Sequence, residues 1–261
     1  MEQGKCRFVD PQDQFGRQAH LYAQSEVLSS GESLHVIEEW VSKGNYKRAV
    51  DIGTGTGFTA FAVAPFVDQV IAADITLPML RETRTLADKN GVHNVGYALS
   101  AAEYLPFADG SVELLTCRHA AHHFQDVDLA VREWRRMLIK DAMLIVADTS
   151  SPEDPVVSDW MHQIEVLRDP SHVRNLSPSE WSELLRDSGF YIVESVLTDV
   201  RLEFNDWVLR SGTPSAKVDG LRRKFLNAST EVVNAFKIRI DESGSIYFKW
   251  DCVVIRSLKV G

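Results

Sequence analysis

Cysteine, positive charge and long apolar runs are the scarce items in this 261-residue chain. The three cysteines, Cys6, Cys117 and Cys252, lie far apart, too few and too scattered for a disulfide framework or a paired-thiolate metal motif. No stretch approaches the ~20 apolar residues that cross a bilayer, and the first six residues, Met-Glu-Gln-Gly-Lys-Cys, lack the basic start and apolar stretch of a secretory signal. Membrane insertion is therefore not expected, and the cytoplasm is the expected compartment. Lys and Arg number 28 against 37 Asp and Glu, a net charge of -9, and the basic residues are scattered. Such a surface repels phosphate backbones and anionic lipid, so nucleic acid is not an expected partner. Internal repeats and low-complexity segments are absent. The Asn-x-Ser matches at Asn175 and Asn227 need secretion to matter.

What remains is an ordinary globular composition, 44% hydrophobic and 25% charged, long enough to bury a sizeable core as one α/β domain. Apolar runs at 48–52, 69–74, 95–99, 112–118 and 143–148 read as strands. Between them, 57–64, 78–90 and 127–140 read as helices, after a first helix from Ser33 that Gly44 stops. Strand and helix alternating about every 20 residues predicts right-handed crossovers and a parallel sheet covered on both faces, a Rossmann-like arrangement. Ligands in such sheets sit outside the carboxyl ends of the strands, where Asp51, Asp74, Arg118 and Asp148 fall.

After Thr149 the rhythm breaks. Residues 151–177 read as a lid-like insert over that edge, with a helix at 156–168. Ser177-Pro178-Ser179-Glu180 is a capping box starting a helix over 178–188. Strands follow at 191–197 and 246–255, with a helical insertion at 214–236. The expected whole is a seven-stranded, mostly parallel sheet with the last strand antiparallel. It divides into an N-terminal cap segment (1–30, a loop plus a short helix), a cofactor-binding core (31–150), the insert (151–177) and a C-terminal part of the sheet (178–261).

The most informative stretch is Asp51-Ile52-Gly53-Thr54-Gly55-Thr56-Gly57, with a second strand ending at Asp74. A dinucleotide fingerprint would need its third glycine where Phe58, or in the other register Ala60, stands. No Gly-Lys-Ser/Thr follows, which excludes a Walker loop. An acid before the turn repels a pyrophosphate and suits a cationic amine or sulfonium. The second acid suits the two hydroxyls of a ribose.

With Ala73-Asp74 followed by Met79-Leu80, Ala102-Glu103-Tyr104-Leu105-Pro106-Phe107, and Arg118-His119-Ala120-Ala121-His122-His123-Phe124, the chain resembles the class I S-adenosylmethionine-dependent methyltransferases. Within them it looks closest to the ubiquinone/menaquinone C-methyltransferase-like branch. The resemblance covers residues 30–150 in order, and the whole chain more loosely. It implies that S-adenosyl-L-methionine is the cofactor and a small, apolar or aromatic molecule the methyl acceptor. By that resemblance Asp51 and the backbone of Gly53 and Gly55, in the turn closed by Gly57, hold the methionine end. Asp74 receives the ribose, Ile75 and Met79 lie along the adenine, and Ala102 reads the adenine edge beside Glu103. The backbone at Arg118 meets the methionine amine, and Tyr22 closes the site. Many relatives carry an acid at the position of Ala101, where alanine cannot accept the adenine amine; Glu103 or a water is the expected substitute. The turn at Lys140-Asp141-Ala142 also departs from the usual Gly-Gly.

The cluster Cys117-x-His119-x-x-His122-His123 admits three readings. His119 and His123 could clamp a zinc ion, but no carboxylate or second cysteine completes the set nearby, and no metal is expected. One histidine could cap the loop while another faces the pocket. Or a histidine could remove a proton from the acceptor, with His123 preferred and His172, in the insert, second. Asp148 could face the acceptor or cap the strand end. The alternatives are an S-adenosylmethionine-binding protein or a non-methylating enzyme on the same fold, and a nicotinamide-dependent oxidoreductase, which Phe58 and Asp51 disfavour.

Overall fold

In the computed structural model, which describes residues 10–261, the runs with the strongest apolar content become the centre of the sheet. Strand β1 (Tyr46–Ile52) pairs in parallel with β2 (Val67–Asp74) on one side and β4 (Val112–Arg118) on the other. Beyond them lie β3 (Val95–Leu99), parallel to β2, and β5 (Leu138–Thr149), parallel to β4. Crossovers through α4 (Phe58–Val63), α5 (Leu77–Asn90) and α6 (Val127–Met137) connect them. The order of these five strands is β3-β2-β1-β4-β5. Chain direction along the sheet reverses between β1 and β4, the switch point at which open α/β sheets form ligand crevices.

Neighbouring residues on each strand serve opposite cores, as pleating requires. Ala49, Leu114, Ile145 and Val254 pack against Ile37, Trp40 and Val41 of α3 (Glu32–Val41) and Ala60 and Val63 of α4. Val50, Leu115, Val146 and Ile255 pack against Val131 and Trp134 of α6 and Trp181 and Leu185 of α8 (Pro178–Asp187). Burial on both faces explains why these strands read as unbroken apolar runs. The capping box is formed: Ser177 and Glu180 bond each other's backbone N–H.

The last strand is antiparallel as expected, while the C-terminal third departs from expectation in strand length, strand count and helices. Strand β8 (Ile246–Lys259) is antiparallel to both β5 and β6 (Phe190–Glu203) and lies between them. Both run well past the predicted ends. A two-residue β7 (Arg239–Ile240) pairs with β8, so the sheet has eight strands among the described residues rather than seven. The extended ends of β6 and β8 project from the sheet and are sheathed by α7 (Pro155–Arg168), α9 (Phe204–Arg210), α10 (Ser215–Leu226) and α11 (Thr230–Phe236). The single helical stretch expected at 214–236 is thus two helices, broken where Ser229 caps α11. Helix α9 was not foreseen. Trp207, Phe225, Phe236, Phe248 and Trp250 form a third core here, each contributing roughly 1.5–3 kcal/mol by burial. The N-terminal segment holds two helices, α1 (Pro11–Tyr22) and α2 (Glu26–Ser29), where a loop and one helix were expected. Helix α1 lies against α5 and α9. Cys6 lies outside the described residues.

Candidate active site

A cavity of about 330 Å³ opens at the carboxyl ends of β1, β2 and β4, closed over by α1, α2 and the α7–α9 region. The glycine turn forms its floor. Gly53, Gly55 and Gly57 all have positive φ, at 60°, 55° and 92°, a backbone region that costs glycine nothing. Thr83 on α5 donates to the Gly55 carbonyl at 2.7 Å and Thr54 N–H donates to Ala73 O at 3.0 Å, so the turn is bolted to both neighbours. A Cβ on Gly57 would meet the Thr83 methyl at 2.5 Å and the Phe61 ring at 2.7 Å. Gly57 therefore permits close packing of α4 on α5 and does not line the cavity.

The two acids of the motif separate in role. Asp74 lines the cavity; its Oδ2 accepts from Gly55 N–H and its Oδ1 from Thr76 N–H, both at 2.8 Å. A carboxylate has about four lone-pair sites, so each oxygen keeps one for a diol. Burial raises its pKa to about 6 against the pull of the Thr76 and Gly55 N–H groups. Asp51 instead sits beneath the turn, 1% exposed, its oxygens accepting from Thr54 Oγ1 at 2.6 Å and Thr116 Oγ1 at 2.8 Å. Burial lifts it to about 6 as well, with those hydroxyls opposing. Asp51 is absent from the cavity lining and buried; in this geometry it shapes the turn through Thr54, because the turn lies between it and the cavity.

Along the same half, Ile75, Met79, Ala101, Ala102 and Glu103 line the wall. The Ala102 carbonyl is held by the Trp134 indole at 3.2 Å. Arg118 is buried and also lines the cavity; its Nε donates to Thr59 at 2.8 Å and Nη2 to the Leu28 carbonyl at 2.6 Å. The side chain thus ties α2 to α4 and draws the N-terminal segment over the pocket. Tyr22 lines the cavity too, its ring edge-on to Phe15 at 5.5 Å.

The histidine loop after β4 forms the opposite wall. His122 donates its backbone N–H to Asp148 Oδ2 at 2.9 Å, and its Nδ1 lies 2.6 Å from Asp148 Oδ1. Burial pulls the His122 pKa down, but the Asp148 charge and hydrogen bond outweigh it and the net shift is upward. Its ring lines the cavity, with no protein partner at Nε2 among the described residues. His123 also lines the cavity; its Nδ1 faces the Ser171 carbonyl at 3.1 Å. Burial, then the neighbouring His122 charge, lowers it to about 4, so it is neutral at pH 7. His172 lies behind these two, its ring 5.5 Å from that of His122, buried and outside the cavity lining. His119, at φ 52°, contacts Ser33 at 3.4 Å and is held neutral by burial. Among the described residues no group of three or more His, Cys, Asp or Glu could hold a metal ion.

The His122–Asp148 pair is the feature the sequence reading missed. Asp148 ends its strand and His122 belongs to the histidine motif, but only the parallel pairing of β4 with β5 sets the two side by side. A second omission is the polar group under the third core: Glu165, Arg168 and Arg210 line the cavity from α7 and α9. Arg168 lies over the Trp207 ring at 4.8 Å.

The geometry agrees with comparison to known proteins. A methyltransferase domain model matches residues 50–146. The chain is 34% identical to the "Uncharacterized methyltransferase YcgJ" of Bacillus subtilis over 94% of this chain and 97% of that protein. The crystal structure of YcgJ superposes with a TM-score of 0.81, covering 88% of this chain and 98% of that one. The ubiquinone/menaquinone C-methyltransferase UbiE of Shewanella frigidimarina is 34% identical over 46% of this chain and 49% of its own length. The chain belongs to the class I S-adenosylmethionine-dependent methyltransferases.

Proposed function

We propose that this protein transfers the methyl group of S-adenosylmethionine to a small, predominantly apolar or aromatic molecule whose accepting atom carries an ionisable proton. The observation that carries the reading is the Asp74 carboxylate, anchored by two backbone N–H groups with an acceptor site left on each oxygen, the arrangement a ribose diol needs. Gly53, Gly55 and the backbone at Arg118 are placed for the methionine end, and Ile75, Met79 and Ala102 for the adenine.

Bound there, S-adenosylmethionine supplies an electrophilic methyl group on a sulfonium. The chain's own part is positioning and proton handling. The aromatic lining from Phe15, Phe124 and Trp207 orients the acceptor and excludes water, which raises effective concentration. His122 is the group placed to take the acceptor's proton at Nε2, while Asp148 holds its ring and tautomer. His123 lines the wall and stays neutral; His172 positions the loop from behind.

Calorimetry with S-adenosylhomocysteine tests the reading: micromolar binding is expected, with at least a tenfold loss in Asp74→Ala. No binding at millimolar ligand would overturn it.

A further inference from the structure

The acceptor half of the cavity is not uniformly apolar, and its unpaired groups are mainly donors. Arg168 donates from Nε to the Trp207 carbonyl at 3.0 Å, while Nη1 reaches Glu165 only at 3.4 Å, longer than the ~2.7–2.9 Å of a strong charge-assisted bond. Arg210 donates from Nε to Asp206 at 2.9 Å and from Nη1 to Ser25 Oγ at 3.4 Å; its Nη2 is buried with no partner among the described residues. Arg210 as a residue is 7% exposed. The indole N–H of Trp250, in the same lining, is also buried and unpartnered. Buried donors without acceptors cost on the order of 1–3 kcal/mol each, a cost removed when an acceptor draws the Arg210 fork toward the cavity.

Charge points the same way. On this wall the cavity meets two guanidiniums and one carboxylate, Glu165. Asp206, the firmer partner of Arg210, has half its side chain exposed and is outside the lining. Asp169 is buried nearby, also outside the lining, with Oδ1 engaged by Ser171 N–H and Oγ. A single negative charge balances the Arg168, Arg210 and Glu165 side of the lining, whereas a phosphate dianion would overshoot it against Glu165. Among the described residues Asn175 Oδ1, in the lining, and Asp169 Oδ2, behind it, are unpaired acceptors; the first suits a hydroxyl or amide donor elsewhere on the ligand.

We propose that the methyl acceptor is an aromatic carboxylic acid, its carboxylate held by Arg168 and Arg210 and its ring against Phe15 and Trp207. The proposal rests on the methyltransferase reading for the identity of this half as the acceptor side. Trp207, which Arg168 covers, links the anion site to the aromatic wall.

The test is calorimetry on protein saturated with S-adenosylhomocysteine, using benzoate, benzamide and benzylamine as probes of one shape and three charges. Benzoate is expected to bind at least tenfold more tightly than benzamide, and benzylamine least. Arg168→Gln and Arg210→Gln should each remove most of that preference while homocysteine-product affinity stays unchanged. Equal binding of acid and amide, preference for the amine, or no binding of any probe to loaded protein overturns the proposal. If either variant fails to fold, the wild-type comparison of acid with amide decides alone. Failure of S-adenosylhomocysteine itself to bind is a separate result, and it strikes the methyltransferase reading instead.

Discussion

His122 Nδ1 lies 2.6 Å from Asp148 Oδ1, and the same carboxylate takes the His122 backbone N–H through its other oxygen. Asp148 also accepts from Thr149 N–H at 3.0 Å and is almost completely buried. The imidazole is thereby fixed in place with one nitrogen directed to the carboxylate. Its pKa is raised, so this pair stabilises the fold fully below the unfolded histidine value of about 6.5, and that contribution is lost as pH rises through the higher folded value. Histidine titration by NMR is expected to show His122 above 6.5, and Asp148→Asn to bring it below. An unshifted His122 in the variant would refute the pairing.

Cofactor affinity should fall in acid because of Asp74. The ribose needs the ionised carboxylate, and in the free protein that group titrates near pH 6. Binding of S-adenosylhomocysteine is expected to weaken below pH 6, by up to about tenfold per pH unit, and to be flat from pH 7 to 8.5. Asp74→Ala should lose the pH dependence together with the affinity. Its melting temperature is expected to stay within about 5 °C of wild type, because the burial cost of the charge offsets two lost hydrogen bonds.

Gly53→Ala should damage site and fold together. Gly53 holds φ at 60°, and a Cβ there would collide with the Cβ of Ala120 at the base of the histidine loop. A destabilisation of about 1–3 kcal/mol by urea unfolding and at least tenfold weaker cofactor binding are expected. Gly110→Ala, also at positive φ but with no atom near the added Cβ, should cost stability without touching affinity.

Trp207→Ala is expected to cost about 3–5 kcal/mol, since its ring is buried among Phe204, Phe225, Phe248 and Trp250. It also removes the surface beneath Arg168. Thermal unfolding measures the first effect, and a drop in benzoate affinity larger than that for S-adenosylhomocysteine measures the second.

Stability should decline as pH drops below about 6.5. His119, His123 and His172 are all held neutral by burial, so the unfolded chain takes up protons first, worth about 1.4 kcal/mol per pH unit for each. Asp51 and Asp74 titrate near 6 in the fold and oppose this as they gain protons there before they would unfolded. His122 gains its proton in the fold before it would unfolded and opposes the loss too. Asp51 and Asp74, however, begin to titrate only near 6, so urea midpoints at pH 7.5 and 5.5 should show a net loss at the lower value.

The parallel half of the sheet and the cavity wall built on the glycine turn were legible from local sequence alone. Short-range signals suffice there: apolar runs of strand length, glycines at positive φ, and acids at strand ends whose spacing is set by one crossover each. Tyr22, Gly53, Gly55, Asp74, Ile75, Met79, Ala101, Ala102, Glu103, Arg118 and His123 all came to line one cavity. Only the tertiary structure decided what faces them. Asp51 sits beneath the turn, where Thr54 and Thr116 donate to it. His122 met Asp148 because β4 and β5 are neighbours in space though about 26 residues apart in sequence. Glu165, Arg168 and Arg210 reached the cavity because the overlong ends of β6 and β8 needed α7 and α9 to bury their aromatic face. Long-range pairing and burial carry no local period, and the acceptor wall is made of them.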